Sequence, residues 1–335
     1  MKEEIGFYKL GGGVLNSSQS YSDFIPNSIS KMSPVPSRLG AASRVYIISA
    51  FGNTTSIIQC ILDLLKQQKR SAHRNQEIEK CVQRVVEVVV AVTRYPISQG
   101  GYYNRDRQVH FFKELVGKLS NTESKPTVDE QAALLQYGEL IASHTVYDYM
   151  KVIMSHAGNV HYVDPRGIIK TSPTSPLSAE VEFKITQDNF DKAFAKIKPA
   201  AGKDALVVVP GFIASSRGKD SKPTLLGLEG SDFTAAILTN AAYRSSLDYA
   251  NVDLTFLKND PGISLNYKDG DSANKFEPEV TWTQVRTKVG NGDKVLHPKV
   301  IEIMEKLPIA VRVTNLKWFS SGHDHERIST LIRGV

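Results

Sequence analysis

Apolar and polar positions along this chain alternate between two spacings, and the switches between them mark its elements. Short apolar runs, too brief for helices, predict buried strands at Ile5 to Leu10, Val45 to Ser49, Val160 to Val163 and Val181 to Ile185. Leu206 to Val209, Val252 to Leu257 and Ile309 to Val313 predict three more. Between them the spacing lengthens to that of amphipathic helices. Ile57, Ile61, Leu64 and Leu65 share one face of a helix beginning near Thr55, with Lys66, Lys69 and Arg70 towards its C-terminal end. From Asn75 to Leu140 the pattern stays helical: Ile78, Val82, Val85 and Val89 line one face, and Gln131 to Ser143 predicts a further helix. Gln187 to Ile197 predicts a small one. Residues 16–44, rich in Ser, Pro and Asn, read as loop with short helical pieces. There is no internal repeat. Strands alternating with helices predict an α/β fold with a mostly parallel sheet, whose ligand crevice lies at the carboxyl ends of the strands.

The polar clusters fall at those ends. Ile5 to Leu10 runs into Gly11-Gly12-Gly13, with Lys9 just before the glycines. Glycine lets a backbone approach a ligand closely, and Lys9 offers a point charge to a phosphate; a tight turn beside a solvated lysine explains the same residues. Ser49 to Thr55 is a small polar turn after the second strand. Pro210-Gly211 breaks the Leu206 run, and a polar loop, Ser215 to Thr224, follows. Gly227-Leu228-Glu229-Gly230-Ser231-Asp232 then opens a helical run, with Ser231 or Asp232 expected as N-cap. A strand, a Gly-rich turn and a helix N-terminus recur as a phosphate cradle, and also start many helices for local reasons alone. Glu139, beside Gly138 in an apolar context, is either a buried functional acid or a surface residue. Lys258 to Ile263 turns at the end of its strand, a polar loop spans Asn266 to Lys275, and Gly290 to Pro298 leads into a late helix.

With 335 residues the chain suffices for one large α/β domain or two smaller ones, and Pro199 to Asp204 looks like a connection between halves. The net charge is +6, but the lysines are scattered among acids, with neither a basic stripe nor zinc-finger spacing, so no nucleic-acid partner is expected. A basic balance suits phosphates and carboxylates. Cys60 and Cys81, the two cysteines, read as core-packing residues on apolar helix faces, without metal or redox spacing. The charged N-terminus carries no secretory signal, and Val85 to Val92 is too short for a membrane span, so a cytoplasmic, soluble protein is expected.

Taken together, the clusters resemble the amino acid kinase family, most closely the catalytic domain of aspartokinases. Lys9-Leu-Gly-Gly12 is similar to their opening KFGG, Ser49 to Thr55 to their SAMG-x-TT turn, and Gly138-Glu139-Leu140 to GEL. Asp164 to Thr171 with Ala179-Glu180 resembles D-x-R…T…AE, and Gly211-Phe212-Ile213 with Leu226 to Asp232 resembles GFI…LGRGGSD. Lys258 to Ile263 resembles the strand end T/K-D-V-x-G-I, and Lys294 to Pro298 reads KVLHP.

The resemblance implies a three-layer α-β-α sandwich. Residues 1–198 would form a lobe for the phosphoryl acceptor, with a helical segment at 56–150, and residues 199–335 a lobe for ATP. It implies γ-phosphoryl transfer from Mg2+-ATP to the carboxylate of an amino acid such as aspartate, giving an acyl phosphate, by a homodimer. Lys9 would stabilise the transferring phosphoryl with Gly11, Gly12 and Gly13. Asp232 would orient the lysines, and Ser231 would help cradle phosphate. Glu139, Thr55 and Ser49 would hold the acceptor. Lys258, Asn259, Gly262, Ser264, Lys268 and Lys294 would line the nucleotide. Mg2+ would be carried mainly by the ATP phosphates, with no dedicated protein metal site.

Departures are concentrated at functional points. Leu228 stands where the family's arginine clamps the α-carboxylate, and Glu229 stands at a glycine; Arg217 or Lys170 are the cations that could replace the clamp. In the nucleotide region Ser264 replaces a tyrosine and Asn259 an aspartate, while Lys268 offers a cation. The sequence stops soon after Ser329-Thr330-Leu331-Ile332, so regulatory ACT domains are not expected. Aspartate, a different carboxylate or amino-acid derivative of specialised metabolism, and a non-catalytic binding role remain the alternatives.

Overall fold

The strand carrying Lys9 is an interior strand of a large sheet with helices on both faces. The computed structural model describes residues 3–15, 42–67, 71–93, 103–153, 158–197, 204–227, 229–259, 262–265, 276–293, 295–315 and 329–333. The chain begins with β1 (Glu4–Leu10) and β2 (Ala42–Ile48), then α1 (Thr54–Leu65), α2 (Ala72–Val92), α3 (Tyr103–Ser120), α4 (Val128–Leu135) and α5 (Tyr137–Ile153). After β3 (Gly158–Tyr162) come a single 3₁₀ turn (Pro165–Gly167), β4 (Lys170–Thr171) and α6 (Phe183–Phe194). Next are β5 (Asp204–Pro210), β6 (Ile213–Ser216), β7 (Pro223–Leu225), α7 (Gly230–Tyr243) and β8 (Asn251–Lys258). The last described elements are β9 (Glu279–Thr281), α8 (Trp282–Gly290), α9 (Pro298–Met304), β10 (Val311–Asn315) and β11 (Ser329–Arg333).

Eight strands form one sheet in the order β3-β5-β2-β1-β8-β10-β11-β9. All neighbours are parallel except β10 and β11. Buried on both faces, the strands read as continuous apolar runs, as parallel strands do. Side chains alternate between two cores. Tyr8, Leu10, Tyr46, Ile48, Leu206 and Val208 pack beneath α1 to α5. Ile5, Phe7, Val45, Ile47, Val207, Leu254 and Phe256 face the opposite way, with residues of α6, α7 and α9. Phe7 and Phe256 are fully buried, each contributing about 1.5–3 kcal/mol by leaving water. The α/β class and the α-β-α layering expected from the sequence are present.

α7 is the central helix of the second layer. Nearly all of its residues are buried and many are small, so it shows no polar face. Its first turn packs directly on the end of β5, and Thr234 Oγ1 accepts a 2.9 Å hydrogen bond from the Phe212 N–H.

Several sequence expectations need correction. Val181 to Ile185 is not a strand: only Val181 bridges to Thr171, and α6 starts at Phe183, because Thr186, Phe190 and Phe194 bury at helical spacing. The Gln131 to Ser143 helix is interrupted at Gln136, between α4 and α5. The polar loop Ser215 to Thr224 is largely the turn of a β6–β7 hairpin within a small sheet, β4-β6-β7. Neither Ser231 nor Asp232 caps α7; Glu229 holds that position with φ 58° and makes no side-chain cap bond. Cys60 is exposed rather than core. Of the loop expected at 16–44, residues 16–41 lie outside the described residues and 42–44 already belong to β2. Of the connection expected at 199–204, residues 199–203 lie outside them and Asp204 begins β5, and the loop expected at 266–275 lies outside them altogether. No described helix is long and apolar enough to cross a membrane.

Candidate active site

The strand period decides where Lys9 points. Ile5 and Phe7 face the α7 layer, so the next residue on that face, at the carboxyl end of β1, is Lys9. The same parity on β8 takes Leu254 and Phe256 to Lys258. Because β1 and β8 are neighbours in register (Lys9 opposite Phe256), the two lysines emerge side by side over the first turn of α7. Asp232 meets both there. Lys9 Nζ lies 2.6 Å from Oδ1 and Lys258 Nζ 3.3 Å from Oδ2. Lys258 also donates to the Val295 carbonyl.

Lys9 and Asp232 are buried, at 8% and 4% exposure. Burial pushes the Asp232 carboxyl up, but the two ammonium groups outweigh it and hold the pKa below the ordinary aspartate range. The cluster therefore carries one net positive charge beside a helix N-terminus, a setting that favours an anion.

Hydrogen bonds between strand-end loops build a continuous rim. Gly11 N–H donates to the Leu257 carbonyl, Ser49 N–H to Leu10, and Gly211 N–H to Ile48. Gly52 N–H donates to the Gly12 carbonyl at 3.1 Å. Gly12 passes so close to the second loop that a Cβ on it would stand 2.4 Å from the Ala50 carbonyl oxygen; only glycine fits. No backbone acceptor among the described residues takes the N–H groups of Gly12 or Gly13. Gly13 in turn faces the Asn259 side chain.

Glu139 enters from the opposite layer. Gly138 lets the start of α5 close onto the second loop, since a Cβ there would meet Ala50 Cβ at 3.0 Å and Thr55 Oγ1 at 3.3 Å. The Glu139 carboxylate is 5% exposed and accepts from the Ala50 N–H, while its Oε2 has no hydrogen-bond partner among the described residues. Burial raises its pKa to about 8, against smaller opposing effects of the backbone N–H bonds and Lys9. A buried carboxylate with one oxygen unpartnered beside a lysine cluster is a functional-site signature.

The structure thus brings Lys9, Gly11, Gly12, Gly13, Ser49, Thr55, Glu139, Ser231, Asp232, Lys258 and Asn259 to one edge of the sheet. Glu229 opens α7 beside them. Gly262 and Ser264 flank Ile263, whose N–H donates to Thr330 Oγ1 on β11 at 2.8 Å. Leu228, Lys268 and Lys294 lie outside the described residues. Neither cation suggested as a replacement clamp is free. Lys170 Nζ donates to the Arg166 carbonyl and to Ser215 Oγ (2.8 Å), and Arg217 pairs with Glu182 at 3.3 Å.

Sequence reasoning assigned Lys258 to the nucleotide and expected Asp232 to orient lysines, without naming Lys258 as one of them. The signal was its strand parity, the same that exposes Lys9. It also gave no role to Gln136 and Arg166. At the break between α4 and α5, Gln136 Oε1 accepts from Arg166 Nη1 at 2.9 Å, while Asp164 grips the same guanidinium. That contact ties the residue just before α5, three positions ahead of Glu139, to the Asp164–Arg166 turn.

The family model described as "Amino acid kinase family" matches residues 7–315. The chain belongs to the amino acid kinase family. Its members are phosphotransferases, which accords with paired lysines beside Gly12 and Gly13 N–H groups that no backbone acceptor among the described residues takes. Among curated proteins, aspartokinase 1 of Bacillus subtilis (strain 168) is 26% identical over 276 residues, covering 80% of this amino acid kinase and 58% of the relative. Among solved structures, E. coli aspartokinase III in complex with aspartate and ADP superposes with a TM-score of 0.73 at 18% identity. That match covers 99% of this chain and 65% of the other. Clostridium acetobutylicum aspartate kinase gives 0.63 at 13% identity, covering 98% and 63%. These likenesses establish the fold. The chain spans less than two thirds of the length of these relatives.

Proposed function

We propose that this amino acid kinase transfers the γ-phosphoryl group of ATP to the carboxylate of aspartate or a related amino acid, forming an acyl phosphate and ADP. The observation that carries the reading is the juxtaposition of two lysines locked on Asp232 with the half-unpartnered, buried carboxylate of Glu139. An acceptor carboxylate oxygen forms the new P–O bond as the bond to the ADP oxygen breaks. The protein's part in such a transfer is positioning and charge stabilisation.

Lys9 and Lys258 neutralise charge on the moving phosphoryl, and Asp232 holds both ammonium groups in place so that neither must reorganise. Gly12 and Gly13 N–H groups, with Ser231 at the head of α7, take phosphate oxygens. Asn259, Gly262, Ser264, Lys268 and Lys294 line the nucleotide side. Mg2+ would be held chiefly by the triphosphate itself. Bound so, the ion would supply further neutralisation of phosphate charge.

Glu139 Oε2 receives the acceptor's ammonium, which lowers the raised pKa and ionises the carboxylate. Thr55 and Ser49 lie beside it for the acceptor's oxygens. Residues 1–198 then serve chiefly the acceptor and 199–335 the nucleotide. A cytoplasmic homodimer belongs to the same proposal.

Glu229 supports a second reading. It carries a negative charge at the head of α7, with Leu228 before it, and disfavours a second acceptor carboxylate there. A monocarboxylate or derivatised amino acid suits that environment better than aspartate.

Purified protein with Mg2+-ATP, hydroxylamine and a panel of amino acids tests both. Hydroxamate from aspartate supports the first reading, and hydroxamate only from other carboxylates supports the second. Absence of ATP binding by calorimetry would refute kinase activity altogether.

A further inference from the structure

The chain's two cysteines are 21 positions apart and meet in space. Cys60 Sγ on α1 and Cys81 Sγ on α2 are 3.9 Å apart. α1 buries Ile57, Ile58, Ile61 and Leu62 against the sheet layer, which leaves Cys60 on the flank of that stripe, exposed to solvent. α2 buries Ile78, Cys81, Val85 and Val89, so Cys81 belongs to its inward stripe and sits behind Cys60. A pair retained for packing would have both thiols inside. Here one thiol is open to reagents at the seam of two helices, and the second is within reach of it.

We propose that Cys60 and Cys81 are a redox-active dithiol that closes to an intramolecular disulfide tying α1 to α2. With a low-molecular-weight disulfide as oxidant, the Cys60 thiolate attacks one sulfur of the reagent and releases its thiol half. Cys81 then loses its proton and attacks Cys60 Sγ, expelling the second half as thiolate. Two protein thiols are oxidised, one reagent disulfide is reduced, and two protons end on the two released thiols. The bond needs an Sγ separation of about 2 Å, so each side chain must move by about 1 Å, the scale of a small χ1 adjustment. Burial and the neighbouring Cys60 push the Cys81 thiol up, which suits it to the second step rather than the first. α1 begins at Thr54, beside the acceptor side of the proposed site, so the cross-link would fix the helix that presents Thr55.

The test treats the reduced full-length chain with oxidised glutathione and then measures intact mass and free thiols after denaturation. The expected product has lost two hydrogens and both thiols, runs as a monomer on a non-reducing gel and reverts with dithiothreitol. It melts a few degrees higher, as closing a loop of this size predicts. Cys81→Ser is expected to stop at a single glutathione adduct, and Cys60→Ser to gain neither adduct nor disulfide. A wild-type chain that keeps a glutathione on Cys60 with Cys81 free, links to a second chain through Cys60, or keeps both thiols overturns the proposal. The wild-type mass alone decides this, whether or not the variants fold.

Discussion

Glu139 is held in the folded protein at a cost that a single substitution can expose. Its ordinary pKa of 4.5 rises to about 8 on burial. The neutral form is therefore the one the fold tolerates. This group's contribution to stability is fully present below pH 4.5 and is lost as the pH climbs through about 8. At pH 7 the loss spans about 2.5 pK units, or about 3 kcal/mol at 1.36 kcal/mol per unit. Glu139→Gln keeps the shape and the acceptor for the Ala50 N–H but does not titrate. Whatever constant offset the amide introduces, the variant's stability relative to wild type should rise by about 3 kcal/mol between pH 4.5 and pH 7. Urea unfolding across that range measures it, provided m stays constant. A difference that stays flat with pH would refute the buried, proton-binding carboxylate. The same variant should bind amino-acid acceptors poorly, so that stability and function move in opposite directions.

Two further outcomes follow from the lysine cluster and the head of α7. Lys9→Ala should lower turnover by about 10²–10³-fold with the circular dichroism unchanged. Asp232, whose depressed pKa gives stability that is lost as pH falls through it, should lose that stability at a higher pH in the variant. Turnover equal to wild type would remove Lys9 from the phosphate. Glu229→Gly should relieve the left-handed backbone at φ 58° and raise the urea midpoint by the equivalent of about 1 kcal/mol. A lower midpoint would show that the Glu229 side chain contributes more than its backbone strain costs.

Much of the arrangement was legible in the sequence because it rests on local rules. Apolar runs without polar alternation signal strands covered on both faces, and the polar residues that end them must lie at the sheet's rim. Lys9 was read that way, whereas Glu139, left open between a buried acid and a surface residue, and Asp232, a candidate N-cap, took their site roles from the family resemblance. What escaped depends on pairing between distant segments. Cys60 and Cys81 look like core residues while each helix is considered alone; their proximity arises only when α1 packs on α2. Val181 to Ile185 alternates like a strand, yet the burial of Phe190 and Phe194 draws it into α6. Ser231 and Asp232 have the chemistry of N-caps, but the Gly230 turn winds the helix one step earlier and places Asp232 inside, facing the lysines.

The position of β1 has a consequence for how the molecule assembles. One neighbour, β2, comes soon after it in the chain, whereas the other, β8, begins only at Asn251. Until that distant strand arrives, β1 presents an open, apolar edge, and Lys9 has no Lys258 beside it. Closing so long a loop makes the step slow. An amino-terminal fragment emerging from the ribosome would expose the edge for the whole interval, which makes it a natural target for chaperones and for aggregation.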